Sequence, residues 1–200
     1  MSRRLPDLLL FGVTAVELWL LLRLTPTFTL IDWVYVSSNV LMLVIALTRR
    51  PAREQDRSIA AAAAVVVSYA YPYAQVALLR WTAGNEVAPA AGLVLVIVSA
   101  CGSLAGLLSI GRRFGVRPAL RGLATRGAYA VVRHPLYLSY VLADIGYNLQ
   151  EYNIGTLLLV AAGWAAMIYR IAAEERVLSR DASWAAYASR VRYRLVPGIW

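Results

Sequence analysis

The sequence predicts an all-α fold, a polytopic membrane bundle of about six transmembrane helices forming a single domain over residues 1–200. Hydrophobic residues occupy 60% of the 200 positions and the mean hydropathy is +0.59, well above the values of an ordinary soluble domain. The apolar residues fall in blocks of about twenty, the helix length that crosses a hydrocarbon core of about 30 Å. The charged residues lie between these blocks. Together these three features predict an integral membrane protein.

The six predicted spans are 5–24, 30–48, 58–80, 88–110, 135–150 and 153–173. Four of them lie within residues 1–110. The first is interpreted as a retained helix, because the run is longer than a signal-peptide core, contains Glu17 and has no Ala-x-Ala cleavage site before Pro26. The last two are separated only by Glu151 and Tyr152, so residues 111–200 are predicted to contain a tight helical hairpin.

The distribution of arginine predicts the topology. All 20 basic residues are arginine and the net charge is +9, a composition that favours a GC-rich prokaryotic genome and hence an inner membrane. All but two of the arginines lie at the N-terminus or in the segments 49–57, 112–133 and 170–194, which alternate between spans. The positive-inside rule then places both termini and these segments in the cytoplasm. The excess charge is interpreted as a topology signal and an attraction to anionic membrane lipids, not as a nucleic-acid site.

Metal chemistry is not expected. The chain has one cysteine, Cys101, within an apolar run, and one histidine, His134. These numbers exclude an intrachain disulfide and a cysteine-based zinc site, and they make a structural metal improbable.

Two polar clusters mark the candidate site. The first, Arg133 to Tyr137, stands at the start of span 135–150, with Pro135 at the first helical position and His134 as the cap. The second ends span 153–173, where Arg170 and Glu174 are four residues apart and share one face. Such residues at two helix ends on one side of a membrane predict a polar ligand between them. We interpret the pair as a cofactor pocket on the cytoplasmic side.

The loop 121–129 leads into this hairpin. It contains Gly122 and Gly127 together with Tyr129. Because glycine allows backbone conformations that other residues avoid, this composition can fold a chain closely around a ligand.

Each feature also has a simpler interpretation. His134 and Pro135 could only start a helix at the interface, and Arg170 with Glu174 could be a surface ion pair. Arg190, Arg192 and Arg194 are interpreted as charges that face the lipid. Glu17 and Asp144 are either partners in hydrogen bonds between helices, which we favour, or residues of a pathway. The joint occurrence of the two clusters in a fixed order favours a site.

That order resembles a known family. The segments TRGAYAVVRHPLY (125–137), EERVL (174–178), WAAY (184–187) and RLVPG (194–198) are together similar to the isoprenylcysteine carboxyl methyltransferase (ICMT) family of integral membrane enzymes and its phospholipid methyltransferase relatives. The resemblance covers roughly residues 105–200. It departs from the family at Ser139, Trp184 and Arg192, where the family usually has Gly, Tyr and Pro.

The resemblance implies a methyltransferase that uses S-adenosylmethionine, with residues 111–200 as the cofactor-binding region. It implies that Arg170 faces the methyl acceptor, and that the cofactor is held by Arg121, Gly122, Leu123, Ala124, Tyr129, His134, Pro135, Leu136, Tyr137 and Glu174. The acceptor is expected to be a lipid-like or prenyl-bearing small molecule.

Methyl transfer from a sulfonium needs positioning and desolvation more than a nucleophilic side chain. A cationic Arg170 suits a carboxylate acceptor, whereas an amine acceptor would make Glu174 or Glu175 the natural base. The catalytic candidates are therefore Arg170, Glu174 and Glu175. Two other classes stay open at this point, a membrane sterol or steroid reductase that uses NADPH and a non-enzymatic membrane protein.

Overall fold

The computed structural model describes residues 30–200, apart from a few side chains, together with Gly12, Ala15, Leu18, Trp19 and Arg23. The predicted first span, 5–24, lies outside the described residues except at those five positions, and Glu17 lies outside them altogether.

The described chain is mostly helical. Its α-helices are α1 (Leu30–Thr48), α2 (Ile59–Trp81), α3 (Pro89–Ile110), α4 (Pro135–Gln150), α5 (Ile154–Leu178) and α6 (Trp184–Arg190). The first five agree closely with the predicted spans that fall on described residues. Three segments are long and apolar enough to cross a membrane, Ile59–Leu79, Pro89–Arg113 and Ile154–Leu178. The chain is therefore a helical membrane protein, and the total of six spans stays a prediction.

Local signals explain where the helices begin. Ser58 caps α2, with its hydroxyl accepting a hydrogen bond from the Ala61 amide at 3.1 Å. Asn153 and Thr156 form a reciprocal capping box at the start of α5. Helix α4 begins at Pro135 with His134 as its N-cap residue, which confirms the prediction for this end.

Glycine permits the closest helix contacts. Helix α3 packs along α4, and α2 packs along α5. A Cβ atom on Gly92 of α3 would lie 2.4 Å from the carbonyl oxygen of Gly146 in α4, and one on Gly163 of α5 would lie 2.6 Å from the Tyr71 ring in α2. Small residues thus let the helices approach closely. This is typical of membrane helices, which associate through close packing because the hydrophobic effect does not drive them together in lipid.

The connections between the helices form two groups, one at each end of the bundle. At one end Asn85 and Tyr152 exchange backbone hydrogen bonds of 2.7 and 3.0 Å, so the connections that contain few arginines lie together. At the other end the Arg50 amide donates to the Arg112 carbonyl at 2.8 Å. The predicted alternation of the described connections is therefore present, while its assignment to membrane sides stays a prediction.

The arginine-rich end also contains a short antiparallel ladder, β1 (Glu54–Gln55) with β2 (Ala119–Leu120). The sequence-based all-α prediction did not include it. Two residues are too few to show the alternation that marks a strand, so this pairing depends on the contact between two loops.

The C-terminal segment closes the same end. The amides of Arg133 and His134 donate to the carbonyls of Tyr193 and Arg194 at 3.0 and 2.9 Å. Tyr193 and Arg194 therefore lie against the start of α4, beside the candidate site.

Candidate active site

A cavity of about 90 Å³ lies between the start of α4, the end of α5 and the loop before α4. We call it the loop cavity. Its lining contains ten of the twelve residues that the sequence singled out, namely Arg121, Gly122, Leu123, Ala124, Tyr129, His134, Leu136, Tyr137, Arg170 and Glu174. Pro135 and Glu175 are not part of the lining. The fold thus gathers residues as far apart in the chain as Arg121 and Glu174, while their roles stay predictions.

The loop 121–129 is fixed by a few specific contacts. Gly122 and Gly127 have φ angles of +90° and +61°, in the region that favours glycine. The Ser109 hydroxyl, at the end of α3, accepts a hydrogen bond from the Ala128 amide at 3.1 Å. The Tyr187 hydroxyl of α6 donates to the Tyr129 carbonyl at 2.9 Å. Helices α3 and α6 therefore hold the loop against the cavity.

Two side chains of this loop are buried. The Nε of Arg121 donates to the Arg50 carbonyl at 3.0 Å, and burial lowers the pKa of the Arg121 guanidinium. Burial raises the pKa of the Tyr129 phenol well above its usual value, and the nearby Glu174 carboxylate adds to the shift. Tyr129 therefore stays protonated and can donate a hydrogen bond into the cavity.

Glu174 connects the two predicted clusters. Its Oε1 accepts a hydrogen bond from the Tyr137 hydroxyl, and its Oε2 lies 3.8 Å from Nδ1 of His134. Among the described residues no ion pair joins Glu174 to Arg170, and Arg170 is only 6% exposed. The simpler interpretation of these two residues as a surface ion pair is therefore wrong.

Glu175 occupies a separate ion cluster. Its Oε1 lies 3.0 Å from Nε of Arg133 and 3.2 Å from Nε2 of His134, and its Oε2 lies 2.8 Å from Nη2 of Arg194. Arg194 also stacks over the Trp200 ring at 5.3 Å. The expectation that Arg194 faces the lipid is therefore wrong, because this side chain turns inward to Glu175.

Arg170 stands on the wall between two cavities. The second one, of about 670 Å³, lies among helices α1 to α5, and we call it the bundle cavity. The residues that line both are Tyr69, Leu136, Tyr137, Tyr140 and Arg170. The Arg170 guanidinium carbon lies 5.3 Å from the centre of the Tyr137 ring and 5.6 Å from that of Tyr69. Its Nη2 donates to the Val116 carbonyl at 3.1 Å.

One polar atom of this wall is left without a partner. The Nε of Arg170 is buried, and no acceptor among the described residues reaches it. An unsatisfied buried donor on a guanidinium is costly, and an acceptor on a ligand would remove that cost. This atom is the structure's clearest indication of an anionic or strongly accepting ligand at the wall.

Sequence reasoning missed several lining residues. They include Arg113, Arg117 and Tyr140. Tyr140 could have been found from its spacing of three from Tyr137, which places both on one face of α4. Arg113 and Arg117 had been interpreted only as topology signals, and their proximity to the cavity depends on the path of a loop that carries no sequence periodicity.

The segment that contains most of the site residues matches a known protein family. Residues 92–180 match the family described as the isoprenylcysteine carboxyl methyltransferase (ICMT) family. This segment is similar to the ICMT family. The match begins near the start of α3 and ends just after α5, so the resemblance drawn from the motifs is confirmed there. No curated protein matches the chain.

The ICMT match supports a membrane methyltransferase and does not favour the reductase alternative. It contains the first two motifs, at 125–137 and 174–178, and stops before 184–187 and 194–198. The structure nevertheless brings these last two segments to the same end of the bundle, through Tyr187 and Arg194.

Proposed function

We propose that this protein transfers a methyl group from S-adenosylmethionine to the carboxylate of a lipid-like acceptor at the prokaryotic inner membrane. In this proposal residues 111–200 form the cofactor-binding region, and the site faces the cytoplasm. The observation that supports the proposal is that the loop cavity and the bundle cavity share one wall. A cavity lined by the ICMT motif residues shares Arg170, Tyr137 and Tyr140 with a larger cavity among the membrane helices.

The residues of the loop cavity suit the proposed cofactor. Glu174 could accept hydrogen bonds from its polar groups, and Tyr129, Trp184 and Leu136 offer aromatic and apolar surface. The cavity volume of about 90 Å³ is below the ~300–1,000 Å³ of ordinary ligand sites. The wider space, open solvent included, is about 880 Å³, so most of such a ligand would lie in the open mouth of the cavity.

When bound, S-adenosylmethionine supplies an electrophilic methyl group. What the protein contributes is position and a dry environment. Tyr137 and Glu174 would fix the cofactor end of the site through their mutual hydrogen bond. Arg170, 6% exposed, would hold the acceptor carboxylate by charge-assisted hydrogen bonds, using the free Nε donor.

The charge arrangement favours a carboxylate acceptor over an amine. Arg170 is cationic at the wall and would repel an ammonium group. Glu175, which the sequence offered as a base for an amine, is bound by Arg133, His134 and Arg194. A carboxylate held by three basic groups is a poor base, so we propose that Glu175 positions His134 and not the acceptor.

The proposal is tested by separating binding from transfer. We expect Arg170→Leu to abolish methyl transfer to lipid carboxylates while S-adenosylhomocysteine affinity stays within a few-fold. Glu174→Gln should weaken that affinity by about 1.5–3 kcal/mol, the range for hydrogen bonds to charged groups, and His134→Ala should resemble it. Binding is measured by calorimetry on the detergent-purified protein, and transfer by a labelled methyl group.

Arg170→Lys serves as the matched control, because it keeps the charge but loses the planar fork. It should keep cofactor affinity and recover only part of the activity. If Arg170→Leu, still folded, loses S-adenosylhomocysteine as badly as Glu174→Gln does, the proposed division between acceptor and cofactor residues is wrong.

A further inference from the structure

Three arginines converge beside Gly122, at the arginine-rich end of the bundle. A Cβ atom on Gly122 would lie 3.7 Å from Nε of Arg113 and 3.9 Å from Nη1 of Arg50, so both guanidinium groups lie close to one point. Arg121 precedes Gly122 and is 9% exposed, and its Nε donates to the Arg50 carbonyl at 3.0 Å. We call Arg50, Arg113 and Arg121 the arginine cluster.

The arginine cluster has no acidic counterpart within the described chain. None of the ion pairs among the described residues includes any of its three members. Other arginines of the same end are paired. Glu175 pairs with Arg133 and Arg194, and Glu54 pairs with Arg180. The cluster is therefore a group of positive charges that the described carboxylates do not neutralise.

Holding these charges together is unfavourable. Burial lowers the pKa of the Arg121 guanidinium, and burial together with the charge of Arg121 lowers the pKa of Arg49 to about 10. Like charges repel more strongly where protein replaces water around them. An anion bound among them would offset this repulsion, and the planar guanidinium group matches the oxygens of a phosphate or a carboxylate.

The place of the cluster in the fold indicates which anion is at hand. Helix α1 ends at Thr48, two residues before Arg50, and Arg113 ends the apolar segment Pro89–Arg113. The ends of membrane-spanning helices lie in the headgroup layer, where phosphate is the common anionic group. Basic pockets between such helices are known to bind lipid headgroups.

The cluster also extends beyond the loop cavity. Arg113 and Arg121 are part of the lining of that cavity, whereas Arg50 is not. A ligand that contacted Arg50 and Arg113 together would therefore lie on the α1 side of the loop, outside the space that we propose for the cofactor.

We propose that the arginine cluster binds the phosphate of an anionic phospholipid headgroup, with Nη1 of Arg50 and Nε of Arg113 as donors to its oxygens. The proposal goes beyond the function argued above and does not depend on it. It replaces the general attraction to anionic lipids, which the net charge predicts, by a defined site with named donors.

The test measures lipid affinity by calorimetric titration of the protein in a neutral detergent, without cofactor. The probes are dioctanoyl phosphatidylglycerol, dioctanoyl phosphatidylcholine and inorganic phosphate. We expect phosphatidylglycerol to bind at least about tenfold more tightly than phosphatidylcholine, because the choline cation is repelled by the cluster. Arg50→Gln and Arg113→Gln should each weaken phosphatidylglycerol binding by roughly fivefold, the effect of about one basic residue at a membrane surface.

Arg57→Gln is the matched control. Arg57 is exposed, follows Arg50 in the same connection and carries the same charge, so its loss should change the affinity by less than about twofold if attraction is confined to the cluster. An equal loss in Arg57→Gln and Arg50→Gln would show a diffuse attraction and overturn the proposal. Equal affinities of the two lipids for the unmodified protein would overturn it as well.

Two further arms identify the source of the anion. Inorganic phosphate should bind far more weakly than phosphatidylglycerol, and equally tight binding would assign the site to free phosphate instead of a lipid. Saturating S-adenosylhomocysteine should leave the lipid affinity within a few-fold, and complete loss of lipid binding would assign the cluster to the cofactor. The lipid titrations need no cofactor, so a failure of the proposed methyltransferase function would leave their result intact.

Discussion

Replacing Glu175 with glutamine tests the ion cluster that holds the start of α4 to the end of α5. The carboxylate lies 3.0 Å from Arg133, 3.2 Å from His134 and 2.8 Å from Arg194. Glutamine fits the same space but removes the charge and presents an amide donor to groups that are themselves donors. The variant therefore leaves Arg133, His134 and Arg194 with one acceptor oxygen where there were two and puts an amide donor beside them.

The expected loss of stability follows from how deeply the ion pairs of Glu175 are buried. The side chains of Glu175 and Arg133 are each 12% exposed and that of Arg194 is 36% exposed. Breaking a buried pair costs about 3–5 kcal/mol, but the most exposed partner contributes little, and glutamine keeps one acceptor oxygen. We expect a loss of about 3 kcal/mol in the free energy of unfolding.

The chain offers a matched control in Glu54→Gln. Glu54 pairs with Arg180, and their side chains are 43% and 60% exposed, so this loss should stay within about 1 kcal/mol. Both variants are measured by denaturant titration in the same mixed micelles. Equal losses in the two variants would show that the Glu175 cluster does not stabilise the fold and would refute our account of its role.

Two further predictions concern the bundle. Gly92→Ala should destabilise the protein by about 1–3 kcal/mol, the usual cost of overpacking, because its Cβ would lie 2.4 Å from the Gly146 carbonyl oxygen; an unchanged melting temperature would mean that α3 and α4 are farther apart than described. A reporter inserted near Arg117 or fused after Trp200 should be cytoplasmic, and one near Glu151 external. Finding the Arg117 and Glu151 reporters on one side would contradict the alternating topology.

Features marked by local chemistry were predicted from the sequence. The start of α4 at Pro135 needs only a proline and a capping residue, and hydropathy alone locates α2, α3 and α5. The gathering of His134, Tyr137 and Glu174 also followed, because two helices of a hairpin must bring their outer ends to the same side.

Features that depend on tertiary contacts between segments far apart in the sequence were not predicted. The partners of Glu175 include Arg194, nineteen residues away on a segment without regular structure, and no periodicity indicates that contact. The bundle cavity requires the relative positions of five helices. Asp144 was recognised as a residue that needs partners, but its choice of Tyr71 and Trp164 depends on packing that glycines such as Gly163 permit.

The central claim is that the loop cavity binds S-adenosylmethionine, and the most direct test is a titration of the detergent-purified protein with S-adenosylhomocysteine and, separately, NADPH. A ligand present at a hundred times its Kd stabilises the native state by about 2.7 kcal/mol. We predict that S-adenosylhomocysteine binds and raises the melting temperature, while NADPH does neither. Binding of NADPH, or no binding of S-adenosylhomocysteine at millimolar concentration, would contradict the claim.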